Sequence, residues 1–371
     1  MLGQVRVRDF RYQIRYGSVM QHYRNLKIRS VLTILTVFTV LCILFSLNNH
    51  LQDSRLQDIQ DRIHELDCGS HVNLTFDEFN PDVIDDGSYI PSPKQLVPNI
   101  VHYILFTIHE IEFSHFVSIL SVLKNQKPDI IYIHCDCHQL TGDYWPRVLR
   151  LAQLTETRLI VRSIFRPFGI FGRKFNKLWL NWHASDITRI RVLREFGGIY
   201  LDRDVYVVRS LNRFRTHEMT IDFEGNGTVL ASQTLIAHKN ARFLKLWLLS
   251  YCEYDSKFWY YNTGVLPTKE IIEKRPELIH RLNGEFGADS VAFCPLIYHS
   301  YYKNWRQKFY AFHLLIRGDY LSPNGWCLGG NRPKISQFNE QNIRQLNTTF
   351  GEMTREVFAF ETQLVNKHSI R

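Results

Sequence analysis

A helix-to-strand transition at Gly197-Gly198 constrains this chain most, because two acidic side chains follow it closely. Residues 182–196 repeat apolar side chains at helical spacing, and two glycines whose backbone accepts positive φ are typical of a helix end. The β-branched run after the aspartates is typical of a strand. Asp202 and Asp204 therefore lie where a helix gives way to a strand. Two carboxylates this close repel each other unless a cation or a proton lies between them.

A divalent cation is one explanation for this pair. Hard oxygen ligands with room for water suit Mg²⁺ or Mn²⁺ carrying a substrate phosphate. The alternative is a strand end whose carboxylates are only solvated, because an isolated Asp-x-Asp is short and common.

The preceding helix favours a ligand site. Asp186 and Arg189 project from the middle of its apolar stripe, close to Trp182. Charges on a buried face are costly unless they are paired or hydrogen-bonded. The two residues form either a structural pair at i,i+3 or the border of a cavity that holds a polar ligand. We favour the cavity, because the same helix leads directly to the two aspartates.

The region upstream predicts an α/β sheet. Residues 100–106, 129–134 and 158–162 read as strands, and residues 113–125 read as a helix between the first two. Strands that alternate with helices indicate a sheet whose ligands bind beyond the carboxyl ends of the strands. The end of the first strand and the two aspartates are both expected along that edge.

The motif Ser185-Asp-(x)2-Arg189, followed by Gly197-Gly-Ile-Tyr-Leu-Asp-Arg-Asp-Val205, resembles the sugar-binding region of the DXD-containing glycosyltransferases of family 32. The likeness extends upstream to Val97–Leu105 and, more weakly, downstream to about Trp305. It implies a GT-A-like nucleotide-sugar-binding α/β domain with the Asp-x-Asp at its switch point. It also implies a divalent metal, Mn²⁺ or Mg²⁺, and a nucleotide-sugar donor, with UDP the expected nucleotide and mannosyl transfer from GDP left open.

The resemblance also implies residue roles. Asp204 would bind the metal directly, while Asp202 would contact donor hydroxyls and the metal. Asp186 and Arg189 would hold sugar hydroxyls or phosphate, and these four residues form the predicted catalytic set. The predicted donor-binding residues are Val101, His102, Tyr103, Asp186, Arg189, Tyr200, Asp202 and Gln233, and the predicted metal ligands are Asp202, Asp204 and His299.

Three further positions can be compared with the family. Thr263-Gly264 resembles a family Thr-Gly turn. The family often has a tryptophan where this chain has Leu105, and an asparagine where it has Gln233. An amide is kept at the second of these positions, and its hydrogen-bonding reach differs.

The resemblance implies transfer of a sugar, a hexose or an N-acetylhexosamine, to a hydroxyl of a glycan, glycolipid or glycoprotein, with retention of anomeric configuration. The alternative is a membrane-anchored protein with the same fold that binds nucleotide sugar or glycan without turnover. An adhesion ectodomain would instead show many short alternating strands. The +10 net charge of residues 97–371 suits an anionic donor. Nucleic acid is not expected, because no basic run there is interleaved with aromatic residues.

The first 96 residues predict a membrane anchor. Residues 30–47 carry no charge over eighteen positions, which just reaches the length of a bilayer span. Residues 1–29 have a net charge of +6 and residues 48–96 a net charge of −7, so the positive-inside rule keeps the N-terminus in the cytosol. We therefore expect a cytosolic tail (1–29), a signal anchor (30–47), a luminal stem (48–96) and a catalytic domain (97–371). A short span suits a type II protein of the Golgi or endoplasmic reticulum membrane.

Smaller features agree with a luminal domain. Six of the seven cysteines follow the anchor, so disulfides are expected without a readable connectivity. Zinc at Cys135-Asp-Cys137 with a flanking histidine ranks low, because the spacing is unusual and no second pair follows. An apolar stripe in the stem leaves open a homodimer. The glycosylation acceptors are Asn73, Asn226 and Asn347.

Overall fold

The computed structural model describes residue 68 and residues 95–224, 227–288, 295–315 and 338–369. These residues all belong to one compact unit, 67–371. The predicted tail, the anchor at 30–47 and nearly all of the stem lie outside the described residues. Within the described part of the chain, no helix combines the length and apolar character needed to cross a membrane.

A mixed seven-stranded sheet forms the centre of this unit, in the order β10-β8-β9-β6-β1-β2-β3. Its strands are β1 Ile100–Leu105, β2 Ile130–Cys135, β3 Arg158–Ser163, β6 Gly198–Leu201, β8 Met219–Glu224, β9 Val229–Ala237 and β10 His280–Arg281. The predicted α/β class with a parallel sheet is confirmed, and the three predicted strands match β1, β2 and β3 to within a residue or two.

The strand directions place a crevice between β1 and β6. From β1 the chain runs outward through β2 and β3, all parallel, and then returns to the other side of β1 as β6, also parallel. Only β9 runs antiparallel to its neighbours β6 and β8. Connections leave β1 and β6 in opposite directions, and such a switch point opens a crevice at the carboxyl ends of the strands.

Four short strands lie outside the main sheet. They are β4 Gly169–Ile170, β5 Arg173–Lys174, β7 Val205–Val207 and β11 Ala311–His313. The antiparallel pairs are β4 with β5 and β7 with β11. The second pair brings a segment more than a hundred residues downstream against the strand that follows the two aspartates.

Helices cover the sheet. Their bounds are α1 Phe113–Asn125, α2 Trp145–Leu154, α3 Leu180–Phe196, α4 Arg242–Ser250, α5 Trp305–Lys308, α6 Glu340–Ile343 and α7 Thr349–Ser369. The predicted helix 113–125 is α1, and the predicted helix 182–196 is the main part of α3. Two large apolar clusters pack around the sheet, one with α1, α2 and α7 and the other with α3 and α4. Because one face of α3 packs in the second cluster, the charged residues Asp186 and Arg189 on that face are desolvated.

Two disulfides join four of the six cysteines that follow the predicted anchor, and Cys294 and Cys327 lie outside the described residues. Cys68 is bonded to Cys252, and Cys135 is bonded to Cys137. The second bond joins both thiols of the Cys-x-Cys motif to each other, so the low-ranked zinc site there is excluded.

The end of α3 depends on backbone freedom at two glycines. Gly197 and Gly198 have φ values of 64° and 113°, which L-residues with a side chain rarely adopt. A Cβ on Gly198 would lie 2.6 Å from the carbonyl oxygen of Ile100 on β1. The glycine therefore lets α3 turn into β6 while β6 stays against β1.

We predict that Gly198→Ala lowers the free energy of unfolding by about 3 kcal/mol or more, because positive-φ strain and a backbone clash add. Gly172→Ala is the matched control, since Gly172 also has positive φ (72°) but nothing within 4 Å of its added Cβ. It should cost only about 1 kcal/mol. Urea denaturation measures both, and equal losses would contradict a role for the close approach to β1.

Candidate functional site

The two aspartates lie at the carboxyl end of β6, at the switch point of the sheet. Asp202 directly follows β6, and its backbone N–H donates to the carbonyl of Gln233 at 2.8 Å. The Val205 N–H donates to the carbonyl of Asp202 at 3.0 Å, which closes a tight turn before β7. This turn holds Asp202 and Asp204 beside the crevice, Asp202 half-buried and Asp204 buried.

A buried ion pair on α3 faces this turn. The guanidinium of Arg189 lies 2.9 Å from the Asp186 carboxylate, and both residues are only 5% exposed. The same guanidinium donates to the carbonyl and the hydroxyl of Ser232 on β9, at 2.8 and 2.7 Å. The Thr263 hydroxyl donates to the other Asp186 oxygen at 2.5 Å. The predicted i,i+3 pair therefore exists, and its hydrogen bonds reach β9 and the Thr-Gly turn.

Arg189 also connects this pair to the first aspartate. Its guanidinium lies 3.5 Å from the Asp202 carboxylate and 4.7 Å from the centre of the Tyr200 ring. The Tyr200 hydroxyl donates to the same Asp202 oxygen at 2.5 Å. Asp186, Arg189, Tyr200 and Asp202, all predicted from the sequence, thus form one contiguous polar group.

Electrostatics keep Arg189 charged. Burial lowers the pKa of its guanidinium, but Tyr200, Asp202 and Asp186 outweigh burial, so the pKa is raised and the side chain stays a cation. Burial also raises the pKa of the Asp186 carboxyl, against the opposing effects of Arg189 and Thr263. Burial raises the pKa of Tyr200 well above its ordinary value, so its hydroxyl remains a hydrogen-bond donor.

A histidine completes a candidate metal site. Asp202, Asp204 and His313 each offer a ligand atom within 4.8 Å of the others. The His313 Nε2 lies 3.3 Å from Asp204 Oδ1 and 3.9 Å from Asp202 Oδ2. Burial lowers the pKa of His313, but Asp204 and Asp202 outweigh it and raise the pKa. Two hard carboxylates and one imidazole fit a divalent ion such as Mn²⁺.

The third member of this group is His313, whereas the sequence predicted His299 as the third metal ligand. His313 is the last residue of β11, and its register partner is Val205, the residue after Asp204. The Leu314 N–H donates to the Asp204 carbonyl at 2.8 Å, which fixes His313 beside the carboxylates. His299 is half-buried and does not belong to the group. No local pattern marks His313, because only the long-range pairing of β11 with β7 brings it here.

Gln233 supplies a buried amide next to the ion pair. It lies on β9 beside Ser232, it is 6% exposed, and within the described chain its Nε2 has no hydrogen-bond partner. A buried donor without a partner is costly, so such a group in a polar crevice is a candidate to bind a ligand oxygen.

The three predicted donor contacts on β1 lie inside the sheet. Val101, His102 and Tyr103 are almost fully buried. The His102 Nε2 donates to the carbonyl of Gly197 at 2.8 Å, and the Tyr103 hydroxyl bonds to Ser118. Burial lowers the pKa of His102 to about 4, so the ring is neutral. Contact of these residues with a base or ribose stays a prediction.

A second polar group at the carboxyl ends of β1 and β2 was not predicted. Asp136 accepts a hydrogen bond from the Thr107 backbone N–H at 2.8 Å, and Arg166 lies 3.6 Å from its other oxygen. Asn181, near the start of α3, donates to the Thr107 hydroxyl at 3.3 Å and accepts from Arg166 at 2.6 Å. This group borders the crevice on the side opposite β9.

Comparison with known proteins agrees with the geometry. Residues 115–221 match the family model described as a glycosyltransferase sugar-binding region containing a DXD motif. The segment contains the ion pair and both aspartates. Glucan organizing enzyme 1 of Cryptococcus neoformans var. grubii is 29% identical over 206 residues, which cover 49% of this chain and 53% of the relative. The match thus spans about half the length of that curated relative.

Solved structures with some similarity include three glycosyltransferases. PaToxG glycosyltransferase has a TM-score of 0.33 at 18% identity, covering 48% of this chain and 70% of its own. Glycosyltransferase GlyE of Streptococcus pneumoniae has a TM-score of 0.39 at 11% identity, covering 71% and 64%. Galactosyltransferase LgtC has a TM-score of 0.32 at 12% identity, covering 69% and 95%.

We predict strong coupling between Asp186 and Arg189. Asp186→Asn and Arg189→Met should each lower the free energy of unfolding by about 3–5 kcal/mol, because each leaves a buried polar partner uncompensated. The double variant should lose clearly less than the sum, as read from urea denaturation.

The exposed Glu270–Lys274 pair, 2.6 Å apart, is the control cycle. Its coupling should be far smaller because solvent screens it. Equal coupling in the two cycles would contradict the central role of the buried pair.

Proposed function

We propose that the chain is a metal-dependent, retaining glycosyltransferase with a GT-A-like fold, on the premise that residues 115–221 match the model of a glycosyltransferase sugar-binding region containing a DXD motif. Its donor is a UDP-hexose or a UDP-N-acetylhexosamine, and its acceptor is a hydroxyl of a glycan, glycolipid or glycoprotein. One observation carries the proposal: two carboxylates and an imidazole converge at the switch point, beside a buried ion pair and an unpaired amide.

The metal site is assigned to Asp202, Asp204 and His313. A divalent ion held there would neutralise the diphosphate leaving group and act as a Lewis acid. The three side chains offer one atom each, which leaves positions for phosphate oxygens and water.

The remaining site residues bind and orient the donor sugar. Gln233 Nε2 is a buried donor that a sugar hydroxyl would satisfy. Arg189 keeps a cationic fork next to Asp202, suited to a hydroxyl pair or a phosphate oxygen. Asp186 fixes this fork and is itself fixed by Thr263. Because these groups are preorganised by the fold, donor binding requires little reordering of side chains.

The engagement of the site carboxylates supports retention without a covalent intermediate. A double displacement needs a carboxylate free to attack the anomeric carbon. Asp186 is bound by Arg189 and Thr263, and Asp202 by Tyr200. Asp204 is assigned to the metal. We therefore propose attack by the acceptor on the face from which the diphosphate leaves, which the anomeric configuration of an early product tests by NMR.

The cellular setting belongs to the same proposal. The uncharged run at residues 30–47 supports a single-pass type II protein of the Golgi membrane with its catalytic unit in the lumen.

The central experiment measures donor hydrolysis by the full-length chain in detergent, with a panel of UDP- and GDP-sugars and Mn²⁺. We expect slow, chelator-sensitive release from one UDP-sugar, lost by about 100-fold or more in Asp204→Asn because one metal ligand becomes neutral. Arg203→Gln, in the same turn, is the control with intact ligands. Tight donor binding without any transfer to a panel of acceptors would favour the non-catalytic alternative. If no donor bound with metal present, the proposal would be wrong.

The third metal ligand can be tested separately. We predict that His313→Ala weakens Mn²⁺ binding by about 10-fold or more, because one of three protein ligands is lost. His299→Ala should leave it unchanged. Calorimetric titration with Mn²⁺ alone measures both, and weakening by His299→Ala instead would return the ligand role to the residue predicted from the sequence.

A further inference from the structure

Exposed hydrophobic side chains are concentrated in two segments next to the site. Within the described part of the chain, seven large hydrophobic side chains are exposed, and five belong to residues 164–179 and 254–261. Leu178 is 73% exposed and Phe258 is 61% exposed. We call this set the aromatic rim; it consists of Phe165, Phe168, Leu178, Phe258 and Trp259. Exposed apolar clusters of this kind mark interaction sites, whereas scattered single residues do not.

The two segments of the rim are in direct contact. The Asn176 side chain donates to the carbonyl of Ser256 at 3.0 Å, and Arg173 donates to the carbonyl of Tyr254 at 3.3 Å. His183 of α3 binds both ends of the second segment, through the Tyr254 hydroxyl at 2.6 Å and the Trp259 carbonyl at 3.0 Å. The rim is therefore anchored to the helix that carries the ion pair.

The charge of the rim is positive. The exposed side chains beside the aromatic residues include Arg173, Lys174, Lys177 and Lys257. Asp255 is the only acidic residue in the two segments. Aromatic residues next to lysine and arginine match the chemistry of a bilayer surface, where indole and phenyl rings enter the interface and cations meet lipid phosphates.

We propose that the aromatic rim docks on a membrane surface, with its rings in the interface and its basic side chains at lipid phosphates. The basic side chains can bind lipid phosphates, and the aromatic side chains bury their exposed rings in the interface. The sequence also predicts a membrane span at residues 30–47, so a bilayer is a partner that this chain is expected to meet. Because α3 supports both the rim and the site, docking orients the crevice toward acceptors held in the membrane. The docking itself does not depend on turnover.

Tryptophan fluorescence gives a direct test in the full-length chain. All seven tryptophans lie at position 145 or later, so the predicted span contributes no signal. The chain is reconstituted in nanodiscs of phosphatidylcholine, with or without brominated acyl chains that quench nearby indoles. We expect brominated lipid to quench the wild type, and Trp259→Phe to remove about half of that quenching because its ring lies at the interface. Trp145→Phe is the matched control and should leave the quenching unchanged.

Three double variants test whether the quenching reports docking of the whole rim and not only the position of Trp259. Phe168→Ser/Phe258→Ser should abolish the quenching, while Leu149→Ser/Tyr301→Ser, which changes the two exposed hydrophobic side chains outside the rim, should keep it. Lys174→Glu/Lys177→Glu should weaken it because lipid phosphates repel the introduced carboxylates. Quenching that is equal in wild type, Trp259→Phe and the serine variant would overturn the proposal. A Trp259 emission change caused by a soluble oligosaccharide, and not by brominated lipid, would assign the rim to an acceptor glycan and also overturn it.

Discussion

The site depends on the ion pairs and hydrogen bonds of the buried Arg189 guanidinium. This cation contacts Asp186 on its own helix, Ser232 on β9 and Asp202 at the end of β6. Moving a charged group from water into the protein interior costs on the order of several kcal/mol unless well-placed partners compensate. The fold supplies these partners from three separate elements, so the helix, the central sheet and the Asp-x-Asp turn are held in one arrangement.

The topology of the sheet explains why this arrangement faces a crevice. The chain fills one side of β1 with β2 and β3 before it returns on the other side with β6, which leaves the carboxyl ends of β1 and β6 uncovered. The two positive-φ glycines let α3 end against β1, so β6 begins without an intervening loop. The ion pair and the aspartates then meet across a few ångströms although Asp186 and Asp204 are separated in sequence by a helix end and a strand.

Some residues of the candidate site could be predicted from local sequence, whereas another reaches the site only through a long-range strand pairing. Asp186 and Arg189 could be singled out because helical periodicity alone places these two charged residues on an apolar stripe. Asp202 and Asp204 could be found because they directly follow a helix end and precede a strand. His313 could not be found in this way, since it reaches the carboxylates only through the pairing of β11 with β7. His299 was chosen from a segment that resembles the family, and local resemblance carries no information about that pairing.

By itself, the sequence determined the α/β class, the first three strands, the helix before the aspartates and the charged residues Asp186, Arg189, Asp202 and Asp204. These features rest on local periodicity, on glycine conformation and on the cost of burying charge, all of which act over a few residues. Tertiary structure alone decided the position of His313 beside the two aspartates, the Cys68–Cys252 bond, and the burial of Val101, His102 and Tyr103 within the sheet. Each of these depends on which distant segments become neighbours, and that choice is made by the packing of the whole core.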